Sequence, residues 1–209
     1  MILSPIDLAD LPGALMDLRA RLDDPLSRAV LDRIAGSLAQ VARGVDTPAY
    51  RAAAVELARR CGIPVLDEEP QCALSWDGAV LRTRSESYVL MHEIAHWQLC
   101  PPARRSLPDF GLGAGPESGR PEIADAAIRV TPEEQQEDEC LSSLLGILWE
   151  VELRQPAILA FLEQNWLEGW QRPACAENLA RWVRRLRDLA LIDSQGRPVG
   201  PDVADLTGQ

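Results

Sequence analysis

The sequence predicts an α+β fold, mostly helical, with a small antiparallel sheet placed directly before a helix that carries both of the chain's histidines. Three observations predict it. Helix starts and stops punctuate the first 60 residues, β-rich runs flank a hairpin signal at Asp77-Gly78, and a helical segment through His92 and His96 runs into Pro101-Pro102. Each element follows in order. Asp24-Pro25 opens a helical segment that Gly44 closes, and Thr47-Pro48 opens another that Gly62 closes. Strands are expected at Ile63 to Leu66, Cys72 to Trp76 and Ala79 to Thr83, the last two as an antiparallel hairpin. Ser85 or Ser87 caps the histidine helix, which Pro101-Pro102 ends. The stretch from Cys100 to Val130, including GLGAGPESGRP, reads as a long loop of the kind that carries function or moves. Thr131-Pro132-Glu133-Glu134 combines an N-cap, a Pro at the first helical position and a capping-box Glu. Further helices follow, interrupted at Pro156 and Pro173, and a loose tail is expected after Ser194.

Composition bounds the function classes. The chain has 209 residues, 46% hydrophobic and 25% charged, as in ordinary globular proteins. Its net charge of -11 repels phosphate backbones and anionic lipid, so nucleic acid and membranes are poor partners. Arg181, Arg184, Arg185 and Arg187 alternate with Trp182, Val183 and Leu186 and read as the solvated side of an amphipathic helix. Five cysteines without a Cys-x-x-Cys pair fit reduced thiols in a cytoplasm. The start of the chain, MILSPIDLADLPG, lacks the pattern of a targeting segment, and no stretch is apolar enough to span a bilayer.

The histidines carry the chemistry. His92 and His96 are the only two, and Glu93 lies between them in His-Glu-Ile-Ala-His. On a helix, residues four apart stack on one face, so both imidazoles can hold one metal ion while Glu93 serves as a base beside it. A third protein ligand is expected and must be a carboxylate or Cys. On the helix after Pro132, Cys140, Leu141, Leu144, Leu145, Ile147, Leu148 and Val151 define an apolar face. Glu137 projects from the middle of that face and is the expected ligand, with Glu134 in reserve. Asp138 lies on the border and Glu139 points towards solvent. An acid in a core-facing stripe needs a partner, and a cation is one. Cys100 reads better as a small buried hydrophobe.

A His, His, Glu set admits two chemistries. Zn²⁺ with Glu93 would activate water against a peptide carbonyl, and Fe(II) in the same set would drive O₂-dependent hydroxylation. Hydrolysis usually needs a further His, Tyr or Arg for the oxyanion. Here Tyr88 or a loop arginine would have to supply it.

The stretch HEIAHWQLCPPARRSLPDFG, followed by Pro116 and Gly119-Arg120, resembles the bacterial elongation factor P hydroxylase family, with its His-Glu-x-x-His-Trp helix, Arg-Arg pair and Asp-Phe-Gly. The resemblance implies that His92, His96 and a downstream Glu, Glu137, hold the metal, and that Arg104, Arg105 and Asp109 to Gly111 bind substrate or brace the site. Without it, Arg104 and Arg105 read as a solvated loop and Asp109 as a turn initiator. The layout of residues 51 to 96 is also similar to ImmA/IrrE-type zinc metallopeptidases. Trp149, Trp166, Trp170 and Trp182 read as core.

The expectation is therefore one zincin-like domain. Residues 1–62 form support helices, 63–154 the metal-site core and 155–209 a helical cap and tail. Its expected activity is that of a cytoplasmic metalloenzyme, with iron-dependent hydroxylation of a lysine in a protein substrate such as elongation factor P preferred. Zinc-dependent proteolysis, with Glu93 as general base, and a non-catalytic metal-containing interaction protein are the alternatives.

Overall fold

A computed structural model describes Ile6 and residues 9–70, 74–114 and 121–207. The first two residues of the expected strand at Cys72 to Trp76, and Pro116, Gly119 and Arg120 of the long loop, lie outside the described residues. The fold is α+β and mostly helical, with eight α-helices among the described residues: α1 Leu11–Arg21, α2 Pro25–Gly36, α3 Pro48–Arg60, α4 Ser87–Leu99, α5 Pro121–Ala126, α6 Pro132–Glu152, α7 Ala157–Glu163 and α8 Pro173–Asp188. The sheet consists of β1 Val65–Leu66 and β2 Leu81–Arg82. None of these helices is long and apolar enough to cross a membrane.

The chain groups into two compact units, residues 1–45 with 147–199 and residues 46–146 with 200–209. These boundaries differ from those expected at 62 and 154: α3 belongs with the histidine helix, and the C-terminal helices with the N-terminal ones. In the first unit, α1, α2, α7 and α8 pack together and bury Leu11, Leu18, Val30, Leu31, Ile34, Phe161, Leu179, Val183 and Leu186. Each such side chain contributes about 1.5–3 kcal/mol on leaving water. In the second unit, α3 packs on α4 through Ala54, Leu57, Ala58, Leu90, Met91, Ile94 and Ala95.

Local chemistry explains most helix ends. The Asp24 carboxylate accepts from the amides of Leu26 and Ser27, and Thr47 Oγ1 from that of Tyr50. At α6 the capping box closes both ways: Thr131 N donates to Glu134 Oε2 at 2.8 Å and Glu134 N to Thr131 Oγ1 at 3.3 Å. Helix α4 departs from expectation. Its N-cap is Glu86, without a side-chain cap, and the amide of Ser87 donates instead to Asp46 Oδ1 at 3.1 Å, a partner 41 residues away.

The sheet corrects the expected topology. Strands β1 and β2 pair parallel, Val65 with Leu81 and Leu66 with Arg82. Of the expected antiparallel hairpin, the described residues show the bridge of Trp76 with Leu81. Asp77-Gly78 does reverse the chain, and Asp77 Oδ1 takes the amides of Ala79 and Val80, widening the turn. Gly78 has φ +93°, and a Cβ there would lie 2.6 Å from the Ser106 carbonyl oxygen. The tail also departs from expectation: Val203 is buried and Asp205 pairs with Arg60 of α3 at 2.7 Å.

Candidate metal centre

The site lies wholly in the second unit, where α4 meets the first half of α6. Gly146 permits the approach, because a Cβ there would stand 3.2 Å from backbone atoms of Met91 and His92. One and two turns back towards the start of α6, Ser142 and then Asp138 and Glu139 complete the seam facing the histidines.

His92 Nε2 and His96 Nε2 point at each other across 2.9 Å, the rings nearly perpendicular. Glu139 Oε2 lies 3.4 Å from the first and 3.7 Å from the second. These three residues each offer one ligand atom, all within 4.8 Å of one another. Glu137, the acid selected from the apolar face, is not in this group, and Glu139, read as pointing to solvent, is. The seam facing α4 is made of Asp138, Glu139, Ser142 and Gly146, whereas the apolar periodicity of α6 points to Glu137; residues 137 and 139 lie about 200° apart on a helix, so the two criteria pick different acids. The small and polar spacing of Ser142 and Gly146 within an otherwise apolar helix is the sequence signal for the seam.

Asp138, unassigned from sequence, orients His96. Its Oδ1 is 2.9 Å from His96 Nδ1 and accepts that nitrogen's proton, so that Nε2 is the nitrogen turned to His92 and Glu139. Ser142 Oγ donates to the Asp138 carbonyl at 2.7 Å and also lies 3.2 Å from His96 Nε2. Burial opposes protonation of His96, yet the Asp138 hydrogen bond and the charges of Glu139, Asp138 and Glu93 raise its pKa to about 9. Burial and the neighbouring His96 depress His92. Burial works against ionised Asp138 and Glu139 too, but the His96 hydrogen bond and Arg104 hold Asp138 low, and the His92 hydrogen bond holds Glu139 low. The set thus holds two carboxylates, Asp138 and Glu139, against two imidazoles, nitrogen and oxygen donors of the kind that divalent cations take.

Glu93 gives the sharpest indication of fit. Its Oε2 is buried with no hydrogen-bond partner, and burial, reinforced by Asp109 and Glu139, pushes the carboxyl up to about 8. An orphaned buried carboxylate oxygen is costly unless something in the site engages it.

The loop after α4 walls the site. Arg104 donates from Nη2 to Asp138 Oδ2 at 2.8 Å and from Nη1 to the Phe110 carbonyl at 3.1 Å. Arg105 donates to the Cys100 carbonyl and lies 4.5 Å over the Trp97 ring. Phe110 stacks on His96 and on Trp76, each at 5.5 Å. Burial lifts Asp109 to about 6, with His96 opposing and Glu139 and Asp138 adding to the rise. Arg104 and Asp109 therefore border the histidine pair, while Arg105 braces Trp97. No protein-family model matches this chain, and no curated protein or solved structure is significantly similar to it.

Proposed function

We propose that this chain is a metal-dependent enzyme in which His92, His96 and Glu139 hold one divalent transition metal and Glu93 handles a proton. The observation that carries the reading is the pair of imidazole nitrogens 2.9 Å apart with Glu139 against them, on the helix that also holds the buried, unpartnered Glu93 Oε2. Bound Fe(II) would supply O₂ activation in a two-His-one-carboxylate set, and bound Zn²⁺ would supply Lewis acidity. Asp138 takes the His96 Nδ1 proton, so that Nε2 is the nitrogen that would bind a metal in place of its own proton. Phe110 and Trp76 exclude water from one side of the ring pair. With its pKa near 8, Glu93 holds a proton on average at neutral pH and can release or recover it during turnover.

Iron-dependent hydroxylation of a protein lysine is the preferred activity, by resemblance to the elongation factor P hydroxylases at His92, Glu93, His96, Trp97, Arg104, Arg105 and Asp109 to Gly111. The state of the loop arginines supports it. Two of the loop arginines that could stabilise a peptidase oxyanion are engaged, Arg104 by Asp138 and the Phe110 carbonyl, Arg105 by the Cys100 carbonyl and Trp97. The His-Glu-x-x-His helix beside a small sheet favours a second reading, a zincin-like peptidase with Glu93 as general base. Elemental analysis of anaerobically purified protein, followed by incubation with elongation factor P, O₂ and a chemical reductant, separates them. Near-stoichiometric iron and a one-oxygen mass gain on a lysine support hydroxylation. Zinc with cleavage of an unfolded protein substrate and no oxygen gain sinks it.

A further inference from the structure

Asp109, Phe110 and Gly111 form three successive residues with positive φ, at 49°, 53° and 71°. For Asp and especially Phe this left-handed backbone is strained, so the surroundings must hold it. The contacts close into a ring. Arg104 grips the Phe110 carbonyl with one nitrogen and Asp138 Oδ2 with the other. Asp138 Oδ1 takes the His96 Nδ1 proton, and the Phe110 ring lies on the face of His96. His96 is thus fixed twice, at its nitrogen and at its ring face, by two groups that one guanidinium ties together.

We infer that Arg104 is a positioning residue: its two-pronged grip locks the left-handed turn against the carboxylate that orients His96, so that metal retention and the order of residues 109–112 rise and fall together. The inference rests on the metal reading above and adds the coupling of the loop to the ligand. A lysine at 104 would carry the charge but lacks the planar fork needed to serve both acceptors. Losing one prong lets the strained turn relax, which removes Phe110 from His96 and leaves Asp138 free to rotate.

The test uses full-length protein, Co²⁺ as the probe, and hydrogen exchange at the amides of Asp109, Phe110 and Leu112, which are bonded to the carbonyls of Trp76, Leu107 and Asp109. Asp138→Asn should weaken Co²⁺ binding about 10- to 100-fold. Arg104→Lys should weaken it about threefold to tenfold and speed exchange at all three amides about tenfold or more. Because Arg104 acts through Asp138, the double variant should bind within about twofold of Asp138→Asn alone. Faster exchange in Arg104→Lys with unchanged Co²⁺ affinity, or an Arg104 effect that adds in full to that of Asp138→Asn, overturns the inference. If Arg104→Lys fails to fold, Arg104→Gln takes its place under the same criteria. Wild-type protein that takes up no Co²⁺ would sink the metal reading, and the coupling is then read from the His96 Nδ1 proton resonance in metal-free protein. Loss of that line in Arg104→Lys supports the coupling, and an unchanged line refutes it.

Discussion

Two buried glutamates, Glu93 on α4 in the second unit and Glu150 on α6 in the first, are both pushed up to about 8, chiefly by burial. Their surroundings differ. Around Glu93, the charges of His96, Asp109 and Glu139 converge, and one carboxylate oxygen has no partner. Around Glu150, among the described residues, Glu163 is the further charge that acts, and the neighbouring side chains include Ile147, Leu148 and Trp149, all buried. Burial alone therefore displaces a titration without making a site. What marks Glu93 is that His92, His96 and Glu139, a group that could hold a cation, is gathered on and against the same helix.

The largest expected effect separates the two directly. Glu93→Gln should lower turnover about 10²- to 10⁴-fold with metal content and thermal stability retained, whereas Glu150→Gln should leave turnover unchanged. A Glu150→Gln variant that loses turnover as severely would dissolve the distinction.

Backbone strain offers a second pairing. Phe110 in the second unit and Ala190 in the first both hold positive φ without being glycine. Ala190 follows α8, where the Leu191 amide bonds the Leu186 carbonyl in a left-handed helix stop. Phe110→Gly relieves strain but removes the ring stacked on His96 and Trp76, so denaturant melts should show a net loss of about 3 kcal/mol. Ala190→Gly has no such ring to lose; its smaller gain closes this series.

Between these lies the pH dependence of Glu150. An unfolded glutamate titrates near 4.3, and folded Glu150 near 8, so between those values the folded state holds a proton that the unfolded state has lost. Stability from this group is full below about pH 4, declines as pH rises towards 8, and is gone above it, with a limiting slope of about 1.4 kcal/mol per pH unit. Glu150→Gln should flatten the decline, so that relative to wild type it is better by about 2 kcal/mol at pH 6.5 than at pH 5 in urea titrations. A wild-type stability that is flat from pH 5 to 8 would contradict the burial argument. The smallest effect is that of Ala190→Gly, a gain of about 1 kcal/mol, and a loss there would mean that the left-handed stop is not formed.

How much of this was legible follows from the range of each interaction. Starts at Asp24-Pro25, Thr47-Pro48 and Thr131 with Glu134 are set by groups two or three residues apart, and sequence carries them. The histidine pair is equally local. The cap of α4 by Asp46, the parallel pairing of Val65 with Leu81, and the docking of Asp205 on Arg60 join distant segments, and no local pattern announces them. Glu139 falls between these cases. It lies on a helix that sequence placed well, but on a seam of Asp138, Glu139, Ser142 and Gly146 that apolar periodicity does not see.

The most direct test is Co²⁺ titration of wild type, Glu139→Ala and Glu137→Ala side by side, with absorption spectra and a competing chelator. The account predicts one tightly bound ion in wild type and in Glu137→Ala, and binding at least about 100-fold weaker in Glu139→Ala. Retention of the ion in Glu139→Ala with loss in Glu137→Ala would contradict it.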